Sequence, residues 1–135
     1  MVKLVLPIDA VPQGRPRFVK GFVFDPPKSR KFKQDLAALI RQQFNDEPST
    51  SPLDVRLTFY RNFKTPTNKK YGDIDNLTKA VLDACNGILW KDDSQIVELD
   101  TRKYCTDGLP YIVIWFNKLG VCFLPKGDYY AEISH

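Results

Sequence analysis

The sequence predicts an α+β fold. One domain over residues 1–135 carries a mixed β-sheet with two main helices packed on it, in the order β-α-β-α-β-β. Three observations lead there. Residues 53–60 alternate apolar and polar side chains, the period of a half-buried strand. Two stretches, near 29–44 and 76–88, place apolar residues at helical spacing. Two apolar runs, "SQIVELDTRKY" and "LPYIVIWFN", close the pattern on either side of an Asp–Gly turn signal. Strands and helices mixed in this order put both helices on one sheet face.

Each element has its own reason. "KLVLPI" is a short apolar run ended by proline, a first strand. "PQGRPRFVKGFVFDPP" is punctuated by Gly14, Pro16, Gly21 and Pro26–Pro27, which marks a loop or a small hairpin. From Ser29 onward, Phe32, Leu36, Leu39, Ile40 and Phe44 form an apolar stripe opposite Lys31, Gln34, Asp35 and Arg41. "NDEPSTSP" stops that helix. In "LDVRLTFY", Leu53, Val55, Leu57 and Phe59 share one side and Asp54, Arg56 and Thr58 the other. "RNFKTPTNKKYG" has no period and reads as a mobile basic loop. Asp75 then suits the N-cap of a helix from Asn76 to Asn86, with Gly87 at the position after its end. Leu77, Val81, Ala84 and Ile88 face the core. The last two apolar runs read as a closing pair of strands. The tail from Asn117 takes no assignment.

Composition limits what such a domain can do. The chain is 43% hydrophobic and 13% aromatic, enough to build a core. No apolar run approaches the roughly 18 residues of a membrane span, and Asp9 and Pro12 interrupt the only candidate for a signal peptide. Three cysteines, Cys85, Cys105 and Cys122, form no CxxC pair, and His135 is the only histidine. A zinc site and a histidine-based catalytic dyad therefore lack their ligands, and a reducing cytoplasm is the expected setting. Residues 1–72 hold 14 Lys/Arg against 6 Asp/Glu, whereas residues 73–135 hold 6 against 10. A basic part that suits a polyanion thus precedes a concentrated acidic element.

That element is "GDIDNLTKAVLDACNGILWKDDSQ", residues 72–95. If the backbone is extended there, Asp73 and Asp75 point the same way, about 7 Å apart at Cα, and a cation between them relieves their repulsion. A helix of about 11 residues is only about 16 Å long, so a following turn and strand can bring Asp92 or Asp93 back beside them. Oxygen ligands of this kind suit Mg²⁺ or Mn²⁺. Each acidic pair alone equally suits a helix cap or a solvated turn. Lys79 lies four residues after Asp75 and four before Asp83, which serves either a phosphate-stabilising ammonium or a plain salt-bridge ladder. Asn76 can cap, contact phosphate or steady the carboxylates.

"DIDNLTKAVLDACNGILWKDDSQIVEL" resembles the signature of the RusA family of Holliday-junction resolvases: D-x-D-N-x-x-K, an alanine-rich helix with an internal Asp, then an aromatic residue, D-D and a strand. "VPQGRPRF" and "FDPPKSRKFKQDL" resemble the N-terminal part of phage and prophage members, and the likeness covers roughly residues 3–116. It implies a homodimeric, Mg²⁺-dependent endodeoxyribonuclease that cuts four-way DNA junctions by paired nicks and uses no organic cofactor. By motif position, Asp73, Asp75 and Asp93 would hold the metal and Lys79 would be the essential basic residue, with Asp92 and Asn76 supporting. Arg15, Arg17, Lys28, Arg30, Arg61, Lys64, Lys69 and Lys70 are the candidates for DNA phosphates, and Phe63, Tyr71 and Trp90 for stacking, Trp90 suiting core or interface better. Two other readings stay open: a nuclease selective for flaps or other branched DNA, and a branched-DNA binder that does not cut.

Overall fold

The computed structural model describes residues 1–14 and 17–120, leaving aside the side chains of 17–19 and 24. Its elements are β1 (Val2–Leu6), β2 (Arg17–Val19), β3 (Phe22–Phe24), α1 (Pro27–Gln43), β4 (Leu53–Arg61), α2 (Ile74–Cys85), β5 (Ile96–Cys105) and β6 (Tyr111–Lys118). Of the expected DNA contacts, Arg15 and the side chain of Arg17 lie outside the described residues, as does the tail from 121.

Four strands form a mixed sheet in the order β1-β6-β4-β5, and β2 and β3 make a separate small hairpin. The alternation in β4 sends Leu53, Val55, Leu57 and Phe59 inward, where they meet Leu4 and Leu6 of β1 and Ile112, Ile114 and Phe116 of β6. Helix α1 covers this face with Phe32, Leu36 and Ile40, and α2 with Leu77, Val81 and Ala84. Apart from Ala84, each such side chain contributes about 1.5–3 kcal/mol by leaving water. Trp90 is fully buried, edge-on to Phe116 at 5.6 Å, and its indole N–H donates to Asn86 Oδ1 at 2.9 Å. It belongs to the core. On the uncovered face, Tyr60 stacks between Tyr104 and Tyr111.

Two expectations are corrected here. The closing strands do not pair with each other: β5 lies parallel to β4 on one side, and β6 lies antiparallel to β4 on the other. Parallel neighbours need a long crossover, and α2 supplies it, so Asp107–Gly108 lies in a connection that crosses the end of β4 rather than in a tight hairpin. The second correction concerns the start of α2. Asp73, not Asp75, is the N-cap, and Ile74 and Asp75 already belong to the first turn. The two carboxylates are therefore not successive side chains on one extended strand. Gly87 does follow the helix with a left-handed φ of +82°, as its place in the sequence suggests.

Candidate active site

The N-terminus of α2 is held from three directions. Gly72, immediately before the Asp73 cap, has φ +102°, and a Cβ there would lie 2.5 Å from Pro12 Cγ. Only glycine fits that close approach. The Gln13 N–H donates to Asn76 O at 3.0 Å, docking the N-terminal loop on the first turn. The Lys103 ammonium donates to Gly72 O at 2.8 Å and lies over the Tyr71 ring. Tyr71 itself is fully buried, with its hydroxyl 3.0 Å from Phe59 O and 2.7 Å from Tyr104 O. Burial pushes its phenol pKa up to about 12. This ties the loop ahead of α2 to both β4 and β5.

Along α2 and β5 runs an open cleft of about 340 Å³, lined by Ile74, Asp75, Thr78, Lys79, Leu82, Asp93, Leu99 and Thr101. Its floor is apolar, and its charged groups are Asp75, Lys79 and Asp93. Asp75 comes from the first turn of α2, whereas Asp93 opens the 3₁₀ turn Asp93–Gln95 that leads into β5. Asp75 Oδ1 accepts the Asn76 N–H at 2.9 Å, which leaves its other oxygen toward solvent. Asp73 sits exposed at the cap and is not part of the lining.

Asp92 has a different task. Its side chain accepts the Ser94 N–H at 3.0 Å, and the Gln95 side chain accepts the Asp92 N–H in return, a reciprocal capping box. Gln95 also donates to Ser49 O and Ser51 O, which anchors the turn to the segment before β4. The hydrogen bond from Ser94 holds the Asp92 carboxyl below the usual carboxylate range. Asp92 thus builds the turn that presents Asp93.

No three His, Cys, Asp or Glu side chains converge into a ready-made metal cluster among the described residues. Asp75 and Asp93 nevertheless suit a hard divalent cation. Mg²⁺ is commonly bound by one or two carboxylates, with waters and substrate phosphates completing its shell.

A sequence model of the family described as Endodeoxyribonuclease RusA matches residues 7–115, most of the chain and all of the cleft. The chain belongs to the RusA endodeoxyribonuclease family. It is also 32% identical over 126 residues to the Uncharacterized protein YqaN of Bacillus subtilis (strain 168), covering 78% of this chain and 89% of that one. As a RusA protein it is an endodeoxyribonuclease by family. No helix among the described residues is long and apolar enough to cross a membrane.

The RusA fold distributes the remaining candidates unevenly. Lys28, Arg30, Lys64, Lys69 and Lys70 are exposed, and Lys69 and Lys70 stand on a 3₁₀ turn just before the Asp73 cap rather than in a patternless loop. Arg61, another expected DNA contact, is engaged within the protein. Its guanidinium pairs with Asp9 at 2.8 Å and donates to Lys70 O and Tyr71 O, and its side chain is only 12% exposed. Tyr71 is corrected, since a buried ring cannot stack on DNA. Phe63 packs half-buried against Tyr71, with ring centroids 5.4 Å apart. Gln13, Gly72 and Lys103 hold this site and were not singled out from sequence. Gly72 had a visible signal, a glycine directly preceding the acidic motif.

Proposed function

We propose that this RusA protein is a Mg²⁺- or Mn²⁺-dependent nuclease that resolves four-way DNA junctions by paired symmetric nicks, working as a homodimer. The observation that carries the reading is the single cleft shared by Asp75, Lys79 and Asp93. A bound divalent cation would activate water and neutralise charge on the scissile phosphate. Asp75 and Asp93 would hold it, with Asp73 contributing from the adjacent cap. Lys79, whose side chain is 64% exposed, is free to donate to a non-bridging phosphate oxygen as negative charge builds there. The N-terminus of α2 adds a favourable dipole for the same anion. Water attacks phosphorus, the bond to the 3′ oxygen breaks, and that oxygen leaves with a proton; none of this needs a histidine.

Lys69 and Lys70 lie just before the Asp73 cap, and with the exposed Lys28, Arg30 and Lys64 they suit backbone phosphates, which are contacted without regard to sequence. For the dimer, β5 is an exposed sheet edge with Val97 and Leu99 uncovered beside the cleft. A two-fold pair of chains matches the approximate two-fold symmetry of a four-way junction.

The test is cleavage of a mobile synthetic four-way junction, a flap and a linear duplex, each with Mg²⁺ or with chelator. Symmetric metal-dependent nicks on the junction alone are expected. Equal cutting of the flap would reassign the substrate to branched DNA in general. Binding with no metal-dependent cutting would reject the enzyme reading.

A further inference from the structure

Lys33 of α1 lies outside the cleft, yet it is tied to it. Its ammonium sits 2.9 Å from Asp25 Oδ2 and 3.1 Å from Asp83 Oδ2, with the side chain only 16% exposed. Asp25 is further held by Gln13 Nε2 at 3.2 Å, and Gln13 is the residue docked on Asn76. Asp83, one turn beyond Lys79 on α2, turns its other oxygen, Oδ1, toward Lys79 Nζ at the longer distance of 3.8 Å. Two lysines thus share one carboxylate, and the buried lysine has the shorter bond.

We propose that Lys33 is a positioning residue for Lys79: by satisfying Asp83 and Asp25 it leaves the Lys79 ammonium loosely held and available to the cleft. This rests on the nuclease reading for its consequence in catalysis, but not for its geometry. Asp83 and Asp25 are two carboxylates with one close cation between them. Without Lys33 both would lose their close cation and would draw on the Lys79 ammonium, which already stands 3.8 Å from Asp83 and contributes to the electrostatics of Asp25. Burial alone would pull the Lys33 pKa down, yet hydrogen bonding to Asp25 and Asp83 outweighs it and holds the ammonium above its ordinary range. The cation therefore stays charged throughout the neutral range. A lysine drawn by an ångström toward Asp83 is a lysine drawn from the phosphate, and misplacements of that size cost up to about a hundredfold in rate.

The experiment uses the full-length protein with Lys33→Met, Lys33→Arg and Lys33→Met/Asp83→Asn. Thermal unfolding first identifies the variants that remain folded. Lys33→Met should lower single-turnover cutting of a four-way junction by about tenfold, while junction affinity in Ca²⁺ changes by less than about threefold. Lys33→Arg should keep the rate, and adding Asp83→Asn should restore most of it. Independently of activity, ¹⁵N relaxation of the Lys79 ammonium should show a higher order parameter in Lys33→Met than in wild type. Wild-type cutting by folded Lys33→Met would overturn the proposal. So would an unchanged Lys79 order parameter, or a lost rate that Asp83→Asn does not recover, since either makes Lys33 a structural residue alone. If the wild type cuts no DNA, the nuclease reading fails, and the relaxation measurement still decides the positioning claim.

Discussion

Thr78 and Thr101 meet hydroxyl to hydroxyl at 2.9 Å, joining α2 to β5 in the lining of the cleft. Thr78 also donates to Ile74 O at 2.7 Å, so Thr101 is the donor between the two. Thr101→Val should cost about 1 kcal/mol, the usual net worth of one hydrogen bond. The urea midpoint should fall with an unchanged slope.

The two neighbouring acids of the second pair should behave differently. Asp75→Asn and Asp93→Asn should abolish metal-dependent cutting and leave junction affinity equal or higher, because each removes a cation ligand and some repulsion of phosphate. Asp92→Ala should keep part of the activity and lower the melting temperature slightly, as the loss of a cap does. Cutting by Asp75→Asn near the wild-type rate would show that the site has been misassigned.

Gly72→Ala should destabilise by about 1–3 kcal/mol, because a left-handed backbone and a collision with Pro12 arise together. Differential scanning calorimetry gives the loss directly.

Tyr71 provides a pH signature. Its folded pKa of about 12 stands above the ordinary 10.0, chiefly through burial, so the folded state holds this proton more tightly. The associated stability is complete below pH 10 and is lost as pH rises through 12. Tyr71→Phe should lose about 1–3 kcal/mol at pH 7, by leaving the two strand carbonyls without their donor. The gap from wild type should narrow between pH 10 and pH 12. Urea titrations at pH 7 and pH 11 measure both effects.

Arg61 and Lys70 separate structure from binding. Arg61→Ala should lower the melting temperature, since a shielded guanidinium leaves Asp9 and two carbonyls without partners. Lys70→Ala should leave the melting temperature unchanged, weaken junction binding and reduce the salt slope by about 1. Titrations across a range of salt concentrations, paired with melting curves, test the contrast.

The periodic elements were legible because period reports burial. The alternation of β4 and the apolar stripes of α1 and α2 appear in the structure where their spacing puts them. Strand pairing was not legible, because "IVELDTRKYC" fits beside β4 or β6 equally well by pattern. The crossover through α2 decides it. At the site, the types and order of Asp75, Lys79 and Asp93 could be read, but the residues alone did not show which acid builds a turn and which faces the cleft; only the family resemblance put Asp93 ahead of Asp92. The difference between Asp92 and Asp93 depends on a capping box whose spacing, Asp92-x-x-Gln95, stands in the sequence beside the acidic pair that drew attention away from it. The pairing of Arg61 with Asp9 was hidden for a similar reason: an arginine in a basic stretch looks alike whether it meets DNA or Asp9.

The parallel register of β4 and β5 has one further consequence, in time rather than space. Asp75 and Asp93 lie on the connection between these strands, so they come to share a cleft once a long loop has closed and distant partners have paired. Such non-local steps are slow because the chain must surrender its entropy before the contacts repay it. A nascent chain still on the ribosome, with β5 not yet emerged, already carries Asp75 and Lys79 but lacks the cleft they share with Asp93. The topology itself delays assembly of that cleft until folding is complete.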